Sequence, residues 1–217
     1  LNGNVLYSHN FIIDNKVNAN DAIDIIKDQT MELLKRNASW GELAGMGLSV
    51  PGPIDTSTGK ILNPPNFGLW HGVNIVDLLK KKLGFDIYLE NNAISRTLCE
   101  KHYGVGKKLK SFISMIVDTG VGAGIVIDNR LYRGYGGYGS EIGHTCIDIN
   151  GKTCSCGNIG CVELYASIPA VLEKAEAQNV NVDSWEKIVD KAEEGNKVCQ
   201  ELIRDEGRYL GAAIVNS

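Results

Sequence analysis

His144 is followed by Cys154, Cys156 and Cys161, a spacing of His-x9-Cys-x-Cys-x4-Cys. Imidazole and thiolate are ligand types that zinc prefers, and one His with three Cys closes a tetrahedral shell. Gly157 and Gly160, between the last two thiols, let the chain fold back round one ion. A closed shell leaves no open position for water, so the expected role is structural rather than hydrolytic: the ion fixes a loop that lacks periodicity of its own. The alternative is three unligated loop cysteines. Cys146 is a further thiol close by and a candidate substitute ligand. Cys99 and Cys199 fall on apolar helical faces, where cysteine acts as a small core hydrophobe. Disulfides are not expected of the 6 cysteines, because three of them crowd together and a chain of 217 residues needs no staples. The pattern fits a reduced, cytoplasmic protein with a metal site.

These residues must be positioned by an α/β framework. With 43% hydrophobic and 22% charged residues the chain can bury a sizeable core, and disorder is excluded as a description of the whole. The 25 glycines have no strict period. No apolar run approaches the roughly 20 residues of a membrane-spanning helix, and the N-terminus carries no signal-peptide pattern. The net charge of −4 and the absence of a basic patch argue against a nucleic-acid surface, and the short runs Lys80-Lys81-Lys82 and Lys107-Lys108 read as solvated faces.

Periodicity and turn signals give the element order. Asn2-Gly3 reads as a hairpin turn before a strand reaching Tyr7, with no strand ahead of it. A helix capped by Asn20-Asp21 runs to about Arg36 with apolar Ala22, Ile25, Ile26, Leu33 and Leu34. Residues 44–50 form a buried strand ended by Pro51-Gly52-Pro53, followed by a helix over 73–82, a strand over 85–90 and a helix over 93–103. A strand over 112–117 leads through a turn made by Gly120, Gly122 and Gly124 to a strand over 125–127, and Asp128-Asn129 turns into Leu131-Tyr132. Residues 133–162 are irregular, and the chain from Glu163 is mostly helical with a break at 178–183. Helical spacing persists almost to Ser217 without a stop signal, so the chain reads as a piece of a longer protein, cut at both ends. Alternating strands and helices make the class α/β.

Several of these segments together resemble a known family. Gly139-Ser-Glu-Ile-Gly-His144, then Cys154-x-Cys-Gly-x-x-Gly-Cys-x-Glu163, resembles the ROK family of bacterial sugar kinases, related open reading frames and sugar-responsive repressors. In the family's order come Gly47-Leu-Ser-Val-Pro-Gly-Pro-Ile-Asp55, the Asn63-Pro-Pro-Asn66 loop with Trp70, Glu90-Asn91-Asn92-Ala93 at the family's Asn-Asp-Ala, and Thr119-Gly-Val-Gly-Ala-Gly124. The resemblance covers essentially the whole chain. It implies the actin-like ATPase (ribonuclease H-like) fold, two α/β lobes around a cleft. The lobes would be residues 1–92, lacking a first strand, and residues 93–217, carrying the zinc loop 144–161.

The resemblance also implies site residues. Asn66, Asn91, Asn92, Glu141, His144 and Glu163 would face a sugar, whose hydroxyls both donate and accept. Glu141 and Glu163 flank the metal loop, so the ion would fix both, and His144 could bind metal through one ring nitrogen and a hydroxyl through the other. Thr119, Gly120 and Gly122 correspond to a phosphate motif, although a tight turn explains the same glycines. The family's kinases use the Asp of Asn-Asp as the base that accepts the sugar proton. Asn92 stands there, and a carboxamide is no base near neutral pH; losing general-base help costs about 10²–10⁴ in rate. Glu90 is too near the end of its strand to substitute. The Gly134–Gly139 stretch with Tyr135 and Tyr138 is either a mobile flap or a loop with both tyrosines packed down.

The resulting expectation is the sugar- or sugar-phosphate-sensing effector domain of a ROK-type transcriptional regulator, with structural Zn2+, a homodimer, and DNA contact only through a helix-turn-helix N-terminal to this chain. The alternative is a ROK sugar kinase using ATP and Mg2+ on a hexose or N-acetylhexosamine. No membrane association is expected.

Overall fold

The computed structural model describes residues 3–13, 17–36, 43–64 and 68–217. The expected Asn2-Gly3 turn and the role of Asn66 lie outside the described residues. The chain divides into two units, residues 1–95 and 96–217.

In the first unit, α1 (Ala19–Arg36) buries Ala22 and Ile23 completely and packs Ile26 against the same core. Its cap is Asn18, whose side-chain oxygen accepts the Asp21 N–H at 3.1 Å while its amide donates to the Asp21 carboxylate at 2.7 Å. The expected cap, Asn20-Asp21, is therefore already helical. All three residues are good capping types, and propensity alone does not choose among them. β1 (Met46–Val50) is followed by a small antiparallel hairpin, β2 (Ile54–Asp55) and β3 (Lys60–Ile61). The helix α2 (Ile75–Leu83), capped by Asn74, then leads to β4 (Ile87–Asn91). β4 runs parallel to β1, with Met46 opposite Ile87 and Val50 opposite Asn91. A parallel pair needs a crossover, and α2 supplies it. Ile61, Ile75, Leu79, Val50 and Leu89 make the core of the unit. The lysines of α2 form surface pairs, Lys80 with Asp86 at 2.7 Å and Lys82 with Asp24 of α1.

The strand expected before Tyr7 does not form. Residues 3–13 contain neither helix nor strand, and Val5 and Leu6 are exposed. A strand is stabilised by its ladder, and no described segment pairs with this one.

Helix α3 (Asn92–His102) begins in the first unit and ends in the second. It buries Ala93, Ile94 and Thr97. Cys99 follows Thr97 by two residues, about 200° round the helix, and is exposed, which corrects its placement in a core. In the second unit β5 (Phe112–Val117), β6 (Val121–Ile127) and β7 (Arg130–Tyr132) form an antiparallel sheet. Asp128 and Asn129, at φ 49 and 64, make the expected tight hairpin between β6 and β7. The expected glycine turn is shorter than the sequence suggested. It spans Asp118 to Gly120, where the Asp118 N–H donates to the Gly120 carbonyl at 2.9 Å. Gly122 and Gly124 are inside β6. A Cβ on Gly124 would lie 2.2 Å from Thr97 Oγ1, so this glycine answers to the approach of α3 rather than to a turn.

The rest is helical: α4 (Glu163–Ala166), α5 (Ile168–Ala177), α6 (Trp185–Glu193) and α7 (Lys197–Val215). Val171, Ala175, Ile188, Cys199 and Leu202 form one core among α5, α6 and α7, with Cys199 in the apolar setting expected. A second core joins Val121 and Ala123 of β6 to Ile142, Val162, Ala166 and Ala213. Among the described residues no helix is long and apolar enough to cross a membrane.

Candidate functional site

The loop expected to hold a metal is built from backbone crossings. The Ile147 N–H donates to the Gly160 carbonyl at 2.8 Å and the Val162 N–H to the Thr145 carbonyl at 3.0 Å, which sets 145–147 beside 160–162. The Cys154 N–H donates to the Asn158 carbonyl at 2.7 Å and the Gly160 N–H to the Lys152 carbonyl at 2.8 Å, which sets 152–154 beside 158–160. A turn closed by the Gly157 N–H on the Cys154 carbonyl joins those arms. Residues 144–162 thus lack regular strands but have a defined backbone path.

That path brings His144, Cys154, Cys156 and Cys161 together, with their ligand atoms all within 4.8 Å of one another. Cys154 Sγ is 3.7 Å from His144 Nδ1, and Cys156 Sγ is 3.7 Å from Cys161 Sγ. With zinc–sulfur bonds of about 2.3 Å, the edges of a tetrahedral thiolate shell are about 3.8 Å. Donor chemistry and spacing therefore fit a metal ion such as zinc. Cys154 and Cys161 are buried and Cys156 is exposed. Burial, reinforced by the Cys154 and Cys156 thiols, pushes Cys161 up to about 12. For Cys156 the opposing effect of burial is outweighed by hydrogen bonding with the Asn158 backbone and the other two thiols, and it lies below its ordinary value. A bound cation favours thiolates throughout such a cluster.

The residues flanking the loop share one anchor, the start of β6. Glu163, the first residue of α4, accepts the Val121 N–H through Oε2 at 3.0 Å. Glu141 precedes a single 3-10 turn, Ile142–His144, whose His144 N–H donates to the Glu141 carbonyl at 3.0 Å. That turn presses on the same strand residue: a Cβ on Gly143 would lie 1.9 Å from the Val121 carbonyl oxygen. Only glycine permits this approach. Glu141 itself is exposed and His144 half-buried. Nδ1 is the His144 ring nitrogen in contact with Cys154, which leaves Nε2 outside that contact. Glu141, His144 and Glu163 are thus held by one framework. Val121 was not singled out in the sequence, because its part is played by its backbone.

Among the remaining candidates, Gly120 abuts Glu163: a Cβ there would lie 2.5 Å from Glu163 Oε2. Asn91, at the end of β4, accepts the Ala93 N–H at 2.8 Å and the Ile94 N–H at 3.2 Å, so its side-chain oxygen caps α3. Asn92 is exposed and accepts the Ala93 N–H at 2.9 Å. The Glu90 carboxylate accepts the Asn91 N–H at 3.0 Å. Thr119 is exposed in the turn before β6 with Gly120, whereas Gly122 is in the β5–β6 ladder opposite Ile116. Tyr135 and Tyr138 are exposed, which corrects the reading in which both pack down.

Comparisons with known proteins agree with this framework. The ROK family matches residues 1–217. The chain is 35% identical over 195 residues to the xylose repressor of Bacillus spizizenii, covering 89% of this chain and 50% of that protein. It is 35% identical over 148 residues to the glucokinase of Thermotoga maritima, covering 68% of this chain and 46% of the glucokinase. The crystal structure of a ROK family transcriptional regulator, described as a homologue of the E. coli Mlc protein, superposes with a TM-score of 0.80 at 28% identity, covering 91% of this chain and 52% of that one. The chain spans about half the length of the curated relatives it matches. Regulators and kinases both appear among these relatives. The mixed α/β architecture is the actin-like ATPase fold. On the match over its whole length and the relatives' agreement, the chain belongs to the ROK family.

Proposed function

We propose that this chain is the sugar-sensing effector domain of a ROK-type transcriptional regulator, binding a sugar or sugar phosphate without phosphorylating it. The observation that carries the reading is Asn92, exposed at the head of α3 with an amide and no carboxylate. By the resemblance of Glu90-Asn91-Asn92-Ala93 to the family's Asn-Asp-Ala, it takes the position of the kinases' catalytic Asp. An amide can hydrogen-bond a hydroxyl but cannot take its proton at neutral pH. Glu90 offers no rescue, since its carboxylate is turned to the Asn91 N–H.

On this reading Asn66, Asn91, Asn92, Glu141, His144 and Glu163 contact the sugar. His144, Cys154, Cys156 and Cys161 hold a structural zinc, which when bound supplies a fixed, fully coordinated anchor and no reactive position. The chain's own residues do the recognition. His144 presents its Nε2 to a hydroxyl, Glu141 adds an acceptor one turn earlier, and Glu163 is oriented by Val121. The protein works in the cytoplasm as a homodimer, and its DNA contact comes from a helix-turn-helix outside this chain. Sugar binding acts on DNA by favouring one of two arrangements of that dimer.

A kinase reading is favoured by the Thermotoga maritima glucokinase, which has the same 35% identity as the repressor but over 148 residues against 195. In that case Thr119, Gly120 and Gly122 serve ATP with Mg2+. Calorimetric titration of the full-length parent with sugars, sugar phosphates and a non-hydrolysable ATP analogue separates the two. Sugar binding without nucleotide binding or turnover is expected. ATP-dependent phosphorylation of any hexose at kinase-like rates overturns the sensor reading.

A further inference from the structure

Cys146 is exposed and is not one of the four clustered ligands, yet it forms a backbone bridge directly opposite Cys161. The flanking hydrogen bonds fix the register. The Ile147 N–H reaches the Gly160 carbonyl and the Val162 N–H reaches the Thr145 carbonyl, so 146 and 161 are a non-hydrogen-bonded antiparallel pair. In such a pair the Cα atoms are about 4.5 Å apart and the two side chains project from the same face. That separation falls inside the roughly 4.4–6.8 Å window for a disulfide. Cys161 is fully buried within the ligand set, 3.7 Å from Cys156 Sγ. An accessible thiol outside the shell thus stands across from a buried thiol inside it. Of the other cysteines, Cys199 is enclosed in the helical core and Cys99 is exposed on α3.

We propose that Cys146 and Cys161 are a peroxide-responsive redox pair, and that forming the Cys146–Cys161 disulfide strips one ligand from the metal centre and releases the ion. The oxidant is a small hydroperoxide such as H2O2. The Cys146 thiolate attacks one peroxide oxygen; the O–O bond breaks, giving a Cys146 sulfenic acid and hydroxide. The Cys161 thiolate then attacks the Cys146 sulfur; the S–S bond forms, the S–O bond breaks and a second hydroxide leaves. Two protons carry both hydroxides to water. The two sulfurs have lost two electrons to the peroxide, and only His144, Cys154 and Cys156 remain for the metal. A dithiol reductant reverses the step. Under the sensor reading, loss of the ion frees His144 and weakens sugar binding; the redox pair itself rests only on the backbone register and the metal reading of the four ligands.

The test begins with reduced full-length protein, whose zinc content is measured first. Dilute H2O2 is then added with a colorimetric zinc chelator present, and the products are mapped by mass spectrometry without reduction. Cleavage after Arg133, Lys152 and Lys174 puts Cys146 on one peptide and Cys154, Cys156 and Cys161 on the next. We expect zinc release together with a cross-linked peptide pair whose fragmentation joins Cys146 to Cys161. Cys146→Ser should hold the same zinc when reduced and release it at least tenfold more slowly under peroxide, whereas Cys99→Ser should behave as the parent. Release at the parental rate from Cys146→Ser, or a disulfide within the second peptide, overturns the proposal. Reduced protein that holds no zinc removes the metal reading, and the peptide map still decides whether the pair forms.

Discussion

The loop 144–162 and the helices α5 to α7 belong to the same unit and are held by different forces. The helices bury Val171, Ala175, Ile188, Cys199 and Leu202 against one another, and Ser167, Ser184 and Asn196 cap their N-termini. Apolar burial of this kind needs no further component. In the loop most side chains from Thr145 to Ile159 are exposed, and burial is concentrated on two ligand cysteines and the adjoining Val162. A handful of backbone hydrogen bonds and a four-residue ligand cluster define its path. The helical region should therefore be stable by itself, and the loop should depend on its ion. Of the residues proposed for sugar recognition, His144 belongs to the dependent region and Glu141 and Glu163 flank it.

Removing the metal is the sharpest way to break this comparison. Chelation, or Cys154→Ser, should abolish hydrogen-exchange protection across 144–162 and lower sugar affinity about 100-fold or more, while protection in α5 to α7 stays within a factor of a few. Uniform loss of protection across both regions would show that the ion supports the whole unit.

The converse is Ile188→Ala. Ile188 is fully buried in the helical core, and truncation there should cost about 2–5 kcal/mol in global unfolding. Zinc stoichiometry and affinity should be unchanged. Denaturant melts with parallel metal titration would check both halves, and a coupled loss of metal would mean that the regions are not separable.

A single kind of substitution can also carry opposite signs in the two regions. Gly143→Ala places a Cβ 1.9 Å from the Val121 carbonyl oxygen, so the turn bearing His144 must shift. We expect a loss of about 1–3 kcal/mol and about tenfold weaker metal binding. Gly211→Ala, within α7, meets nothing within 4 Å and should stabilise by about 0.5–1 kcal/mol through helix propensity. Thermal unfolding of the two variants beside the parent gives the signs directly.

The two regions also differed in how much of them could be read in the sequence. The four clustered candidate ligands were legible because thiolates at short spacing have few other uses in a reduced chain, and the helices because their apolar period is local. What escaped depends on contacts between distant residues. Gly124 looked like part of a turn because Thr97, the reason for the glycine, is on another element. Cys99 is apolar enough for a core, but α3 turns Ala93, Ile94 and Thr97 inward instead. The partner of Glu163 is a backbone N–H in β6, and a backbone group leaves no trace in residue type. The facing of Cys146 and Cys161 follows from the pairing of 145–147 with 160–162, which no propensity encodes. The α/β class was thus accessible from periodicity and the His/Cys cluster from spacing, the actin-like fold came only through the family resemblance, and the geometry that orients the flanking acids was not accessible.

The smallest expected effect tests whether the helical region is as independent of charge as its core suggests. Glu206 of α7 is only 8% exposed. Burial raises its carboxyl above the ordinary value, with Lys174 of α5 pulling the other way. Lys174 is itself lowered, first by burial, and its ammonium is 4.6 Å from the centre of the Tyr209 ring and donates to the Tyr165 carbonyl at 3.0 Å. A carboxyl whose folded pKa is raised favours the folded state most when protonated. Its contribution is fully present below the unfolded value, about 4.3, and is lost as pH rises through the folded one. At pH 7 the buried charge therefore opposes folding. Glu206→Gln keeps the shape and removes the charge, so it should raise the melting temperature by about 1–3 °C at pH 7 and leave it unchanged at pH 3.5. A destabilised variant at pH 7 would show that attraction to Lys174 outweighs the burial, and that α5 and α7 are joined by an ion pair as well as by their apolar faces.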